Sequence, residues 1–320
     1  MTDKQINKWL RHQFSPIGWV LLAYYGLINL FSLVAMFWEA LRQVLKMDHR
    51  GPFWFQQLDM DAIAGNAWGY ITAIGVLFVI LYAWKGSGYW RDEVFAKEKS
   101  MSGGVFFSLL CMCIGSQMVN SLWVSGLEFL YNLSDKSLMP MLEAVSGASD
   151  TFSMFLYASI LAPVWEELLF RGYILRTLRP YGKRFAILSS AVLFGLFHGN
   201  ILQAPYAFAV GLVLGYVAAE YHIGWSVAIH MFNNLVLADL LTRLTRNLPD
   251  FAYNLVNLAL FGGFFLVSLG ILIQKRREIR EYRQSEWIDR RCVKCLFLSG
   301  GVVVLTVLMV GNMISMLFLY

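Results

Sequence analysis

The chain has 320 residues, of which 58% are hydrophobic and only 15% are charged, with a formal net charge of +5. Soluble domains contain roughly 45–50% apolar and about 25% charged residues, so this composition excludes an ordinary soluble protein. No phosphate-binding loop, RNA motif or basic arm points to a nucleic-acid partner, and we attribute the basic excess to membrane topology and contact with anionic lipids. The sequence predicts an all-α, polytopic integral membrane protein with one domain over residues 1–320.

Apolar segments of about 20 residues, the length that crosses a bilayer, recur along the chain. Their lengths and bounding charges predict nine spans, or eight if two of the closely spaced fifth, sixth and seventh segments act as one. The predicted spans are 17–38, 62–84, 104–127, 151–178, 185–201, 203–220, 224–242, 252–273 and 296–319. The first lacks a small-residue cleavage signal, so we expect it to be retained rather than removed as a signal peptide.

The distribution of basic residues predicts the orientation. Counting from an N-terminus inside, 20 of the 26 Lys and Arg residues fall in inner segments and six in outer segments. The positive-inside rule then places the N-terminus in the cytoplasm and the C-terminus outside. The membrane would be the plasma membrane if the source is bacterial.

Cysteine gives a weak signal. Cys292 and Cys295 form one C-x-x-C beside a basic stretch, without the second pair that a structural zinc site would need. Unmodified thiols at a membrane boundary are the expected state, and lipidation is the alternative.

Two adjacent acidic residues, Glu166 and Glu167, interrupt the fourth span. An ionisable group at the bilayer centre costs roughly 2.5–3.5 kcal/mol, so the pair needs a partner or a function. Glu167 and Arg171 are four residues apart on one helix face, which favours an ion pair and leaves Glu166 as the freer carboxylate and a candidate general base. A purely structural ion cluster is the alternative interpretation.

Two further motifs follow. Phe194 lies one helical turn before His198 and can support its ring, and Glu166 and His198 are each about 20 Å from the predicted inner surface at 1.5 Å per residue. His230 and Asn234 are again four residues apart, and both side chains can donate hydrogen bonds to a developing oxyanion. Taken alone, His198 also fits a satisfied core histidine, and His230 with Asn234 also fits a polar pair that joins helices.

The run EELLFRGYILRTLRPYGKRFAILSSAVLFGLFHGN, followed by GWSVAIHMFNN, resembles the CPBP group of intramembrane proteases. This group includes the type II CAAX prenyl endopeptidases and bacterial bacteriocin-processing or self-immunity proteins. The resemblance covers about 80 residues, from Pro163 to Asp239, and places a catalytic core at 151–242. The flanking spans carry no diagnostic motif.

The resemblance implies a role for each motif residue. Glu166 and His198 would activate a water molecule, His230 and Asn234 would stabilise the oxyanion, and Glu167 and Arg171 would support the site. The family was once regarded as zinc-dependent, and the zinc alternative would use Glu166, His198 and His230 as ligands. We expect no metal cofactor, because the chain lacks His-Glu-x-x-His and a carboxylate-activated water explains the same residues.

The sequence thus predicts an intramembrane endopeptidase, reached from the inner face, that acts on a membrane-anchored or hydrophobic peptide, prenylated or not. The alternative is a non-catalytic membrane scaffold, or a self-immunity protein that binds a bacteriocin.

Overall fold

The computed structural model describes residues 1–47, 54–141, 151–285 and 288–319, and within these ranges it contains helices and no β-strand. The main helices are α1 (Asp3–Lys46), α2 (Met60–Val94, interrupted at 65–67), α3 (Gly103–Asn132), α4 (Phe152–Tyr181), α5 (Lys183–Phe197), α6 (Ala204–Glu220), α7 (223–245), α8 (Asp250–Gln274), α9 (Arg276–Ser285), α10 (Arg290–Phe297) and α11 (Gly300–Leu319). The predicted all-α class is confirmed.

Among the described residues, six helices are long and apolar enough to cross a membrane, namely α1, α2, α3, α4, α8 and α11. The predicted sixth span corresponds to α6, which is apolar but has only 17 residues. The predicted fifth span corresponds to α5, with 15 residues, and the seventh to α7, which contains Asn233, Asn234 and Asp239. Each predicted segment overlaps a helix, and the six long apolar helices fit a polytopic membrane protein.

The predicted fifth span, 185–201, extends too far at its C-terminal end. Helix α5 ends at Phe197, and His198 is its C-cap residue. Gly199 follows with φ 59°, a left-handed conformation that glycine adopts without a Cβ clash and that commonly ends helices. His198 therefore stands at the end of a helix, where the chain turns towards α6.

Small residues let the helices approach closely around the core. A Cβ on Gly18 of α1 would lie 2.0 Å from the carbonyl carbon of Gly301, so α1 and α11 are in backbone contact there. A Cβ on Gly195 of α5 would lie 2.8 Å from the carbonyl oxygen of Ala204 at the start of α6. Such contacts are typical of helix packing in membranes, where van der Waals contact drives association.

The segments predicted to lie on the inner side meet at one end of the helices. Polar contacts join Asp3 to Arg291 (2.9 Å), Lys99 to Glu220 (2.9 Å), Lys183 to Glu220 (2.7 Å), and Glu98 to Arg179. Glu220 is nearly buried, and the hydroxyl of Tyr282 in α9 also donates to it at 3.1 Å. These contacts bring the basic segments together at one end of the helices, and the basic count predicts that this end faces the cytoplasm.

The C-x-x-C thiols are inside the protein rather than on its surface. Cys292 and Cys295 are both buried, and the Sγ of Cys295 lies 3.7 Å from Oδ1 of Asn7 in α1. Burial raises the pKa of Cys292 to about 11, so this thiol stays protonated near neutral pH. This environment favours unmodified thiols over lipidation.

The membrane side of the basic end is testable with two exposed positions, Lys136 and Arg277. Each is replaced singly by cysteine in a background without native cysteines, and intact cells are treated with an impermeant thiol reagent. Because basic residues are retained in the cytoplasm, we expect labelling at 136 and protection at 277 until the membrane is permeabilised. Labelling at 277 with protection at 136 would mean the reverse orientation, and labelling at both would mean a wrong span assignment.

Candidate functional site

The predicted site residues come from three helices that pack together. Glu166, Glu167 and Arg171 lie on α4, His198 ends α5, and His230 and Asn234 lie on α7. Neither α4 nor α7 is a uniform α-helix, because wider π-type turns occur at Leu156–Leu161, Leu168–Leu175 and Asn233–Leu240. Turns of this kind are rare and frequently lie at functional sites. Two of them flank the glutamate pair, and the third begins beside Asn234.

Glu167 is the centre of the polar contacts. Its carboxylate is fully buried, and one oxygen accepts from Nη1 of Arg171 at 2.7 Å and contacts Nδ1 of His230 at 2.9 Å. The other oxygen accepts from the hydroxyl of Ser226. The predicted pairing of Glu167 with Arg171 is therefore present, and it extends to two residues of α7.

The guanidinium of Arg171 is fully buried and contacts two residues in addition to Glu167. Its Nη2 donates to the backbone carbonyl of Gly211 in α6 at 3.1 Å. The guanidinium carbon lies 4.5 Å from the centre of the Phe194 ring, a favourable cation–π contact. Arg171 thus links α4 to α5 and α6.

Glu166 occupies a different environment from its neighbour. Its side chain is 20% exposed, whereas that of Glu167 is 0% exposed. One oxygen of Glu166 lies 3.7 Å from Nε2 of His230, within ion-pair distance but too far for a hydrogen bond. Glu166 is the freer carboxylate, as the sequence predicted, and it faces the imidazole nitrogen opposite the one that contacts Glu167.

Hydrogen bonds orient both imidazole rings. Nδ1 of His198 lies 2.8 Å from the carbonyl oxygen of Phe194, which can only accept, so this contact requires a proton on Nδ1. The lone pair of a neutral His198 is then on Nε2. The Phe194 ring also contacts His198 and His230 edge-on, with ring centres 4.9 and 5.7 Å apart. Phe194 supports His198 as predicted, and it supports His230 as well.

Asn234 lies beside α4. Its Nδ2 donates to the carbonyl oxygen of Ala158 at 2.9 Å, and its Oδ1 accepts from Nδ2 of Asn233 at 3.1 Å. Asn233 also accepts from the hydroxyl of Tyr206 in α6. A π-type turn begins at Asn233, so the two asparagines stand where the helix changes its winding.

The zinc alternative names Glu166, His198 and His230 as ligands. Among the described residues, no three His, Cys, Asp or Glu side chains are grouped so that they could hold a metal ion. Glu166 and His230 are close to one another, but His198 does not complete a cluster with them.

Sequence reasoning missed Ser226, Tyr206 and Gly211. Ser226 had a usable signal, because it lies four residues before His230 and therefore on the same helix face. Tyr206 and Gly211 contribute through a hydroxyl and a backbone carbonyl on α6, and no motif in the sequence identifies these contacts.

A cavity of about 460 Å³ lies beside His198. Its lining comes from α1, the turn after α5, and the C-terminal half of α11: Tyr25, Phe197, His198, Gly199, Asn200, Gln203, Met309, Asn312, Ser315 and Met316. These residues are far along α5 and α11 from the basic end. This cavity and the basic residues therefore lie at opposite ends of α5.

The fold and this geometry define a polytopic helical membrane protein with a buried glutamate–arginine–histidine cluster. Residues 148–236 match the family model for type II CAAX prenyl endopeptidase Rce1-like. The match includes Glu166, Glu167, Arg171 and both motif histidines, and it confirms the resemblance to the CPBP family. No curated protein and no solved structure matches the chain. The family supports protease activity in the membrane.

The contacts of Glu167 predict that Glu167→Gln destabilises the protein. The neutral amide removes the charge that Arg171 and His230 contact, and breaking a buried pair costs roughly 3–5 kcal/mol. We expect a clearly lower thermal unfolding temperature in detergent. Glu166→Gln is the matched control, an identical change at the adjacent and partly exposed carboxylate, and it should unfold near the wild-type temperature. Equal unfolding temperatures for the two variants would contradict the central role of Glu167.

Proposed function

We propose that the protein is an intramembrane endopeptidase that hydrolyses a peptide bond with water activated by Glu166 and His198. The observation that carries this proposal is the difference in environment between the two adjacent carboxylates, Glu166 and Glu167. Glu167 is enclosed by Arg171, His230 and Ser226, whereas Glu166 is partly exposed and 3.7 Å from an imidazole nitrogen. A partly exposed carboxylate that lies near histidine, with no hydrogen bond to it, is suited to accept a proton from water.

In the proposed reaction a water oxygen attacks the carbonyl carbon of the substrate peptide bond, and its proton passes to Glu166. Nε2 of His198, whose Nδ1 is oriented by the Phe194 carbonyl, accepts a hydrogen bond from the same water. The tetrahedral intermediate then collapses, the carbon–nitrogen bond breaks, and the proton held by Glu166 moves to the leaving amine. Glu166 thus returns to its carboxylate form, and the products are a carboxylic acid and an amine.

His230 and Asn234 would stabilise the oxyanion of that intermediate. Nδ1 of His230 contacts Glu167, so Nε2 is the nitrogen left to face the substrate, and donation from it requires the doubly protonated ring. The Asn234 amide has a second N–H beyond the one bound to Ala158, which can donate to the oxyanion. Preorganised donors of this type contribute most to acyl-transfer catalysis.

The proposed substrate is a membrane-anchored or hydrophobic peptide, prenylated or not. A site among helices, with little water, favours segments that the bilayer already concentrates. The cavity beside His198 offers the route to the site, and its lining combines Phe197, Met309 and Met316 with the amides of Asn200 and Asn312. Apolar walls with a few polar groups are typical of ligand-binding sites.

Glu166→Gln should abolish cleavage while leaving the fold intact, because it removes the base and keeps the shape. For a positioned general base the expected loss of kcat is on the order of 10²-fold or more. The measurement is turnover of a fluorogenic membrane-anchored peptide by purified protein in detergent or proteoliposomes. Glu93→Gln, at an exposed carboxylate far from the site, is the control and should retain wild-type turnover. Near-normal turnover by folded Glu166→Gln protein would remove Glu166 from the mechanism, and no turnover by wild-type protein on any membrane peptide would favour a scaffold.

We also expect purified active protein to contain far less than one zinc ion per chain. If Glu166 and His198 act on water directly, no metal is needed to lower the pKa of that water. Metal content by mass spectrometry, together with activity before and after chelator treatment, measures this directly. Stoichiometric zinc, with activity lost to the chelator and restored by zinc alone, would overturn the metal-free mechanism.

A further inference from the structure

A second cavity lies at the basic end of the molecule, away from the glutamate and histidine residues. Its volume is about 790 Å³, and it is lined by Arg184, Leu272, Arg276, Ile279, Arg280, Arg283 and Gln284. Arg184 is at the start of α5, Leu272 is in the last turn of α8, and the others belong to α9. Four of these seven residues are arginines, and no described acidic side chain lines the cavity.

The arginines of α9 form one stripe. Arg276, Arg280 and Arg283 are spaced by four and then three residues, which places them on the same helix face. Glu278 lies on the opposite face and pairs with Lys275 at 2.7 Å. Glu278 therefore does not pair with the stripe, whose three arginines line the cavity.

Contacts with the helix core hold α9 in place. The hydroxyl of Tyr282 donates to the nearly buried Glu220 at the end of α6, and the Tyr282 ring meets that of Tyr216 edge-on at 5.7 Å. Arg184 donates to the backbone carbonyl of Arg283. The arginine stripe is thus part of a built surface and not of a detached tail.

The cavity lies where a membrane span ends. Helix α8 is long and apolar enough to cross the bilayer, and α9 begins two residues after its last residue. Leu272 and Ile279 supply an exposed apolar floor directly beside the arginines. A ligand that is anionic at one end and apolar below it matches this lining.

We propose that this cavity binds the headgroup of an anionic phospholipid. The guanidinium groups contact the phosphate through charge-assisted, paired hydrogen bonds, and the first part of the acyl chains lies on Leu272 and Ile279. Free phosphate has no apolar part to occupy that floor. Basic pockets between membrane helices are a known way to recognise lipid headgroups.

The test is native mass spectrometry of the full-length protein in detergent, titrated with phosphatidylglycerol, phosphatidylcholine or inorganic phosphate. We expect saturable binding of phosphatidylglycerol and little binding of the other two. Arg276→Gln/Arg280→Gln should weaken phosphatidylglycerol binding by on the order of tenfold or more, because it removes two guanidinium groups that would form charge-assisted hydrogen bonds with the phosphate. The matched control is Arg277→Gln/Arg290→Gln, which removes the same charge from exposed positions outside the cavity and should bind like wild type.

Equal weakening in both double variants would overturn the proposal, because the effect would then come from total charge. Equal binding of phosphatidylcholine would overturn it as well, and so would saturable binding of inorganic phosphate without binding of the lipid. Circular dichroism and gel filtration establish that the variants fold. If the cavity double variant does not fold, Arg280→Gln alone, at an exposed side chain, supplies the same comparison against Arg277→Gln.

Discussion

The burial of Glu167 beside Arg171 is the interaction on which the rest of the site depends. Two opposite charges removed from water must satisfy each other and their remaining hydrogen-bonding capacity, or the cost of desolvation exceeds their attraction. Here the Ser226 hydroxyl, the His230 ring and the Gly211 carbonyl meet much of this capacity, while Nε of Arg171 has no hydrogen-bond partner among the described residues. One ion pair therefore draws α4, α6 and α7 together, and it fixes the His230 ring in the orientation that faces Glu166.

Aromatic packing completes this arrangement on the side of α5. The Phe194 ring lies against the Arg171 guanidinium and edge-on to both His198 and His230, while Phe170 packs edge-on against it at 5.0 Å. The same ring thus contacts the cation of the ion pair and both imidazoles. A motif that looks like a single histidine with an aromatic neighbour serves two histidines and one cation.

The sequence allowed the helical class, the Glu167–Arg171 pair and the support of His198 by Phe194 to be predicted, because each depends on residues within one helix. Contacts across helices were less accessible. The bond between Asn233 and Asn234 lies where the π-type turn Asn233–Leu240 begins, and residue spacing in the sequence does not indicate such a turn. Helix α5 ends at Phe197, two residues before the left-handed Gly199, and hydropathy alone does not indicate this helix end. Roles in catalysis, orientation and metal content are properties that neither spacing nor packing determines.

The wall of the cavity beside His198 has a consequence for how the protein is made. Met309, Asn312 and Ser315 come from α11, far behind the glutamates and histidines in the order of synthesis, and α11 joins the bundle through the backbone contact of Gly301 with Gly18 in α1. When α4 to α7 of a nascent chain have inserted, their glutamates and histidines are therefore in place before α11 supplies its wall of the cavity. The cavity therefore acquires its final shape only when α11, the last helix to be made, packs against α1, the first.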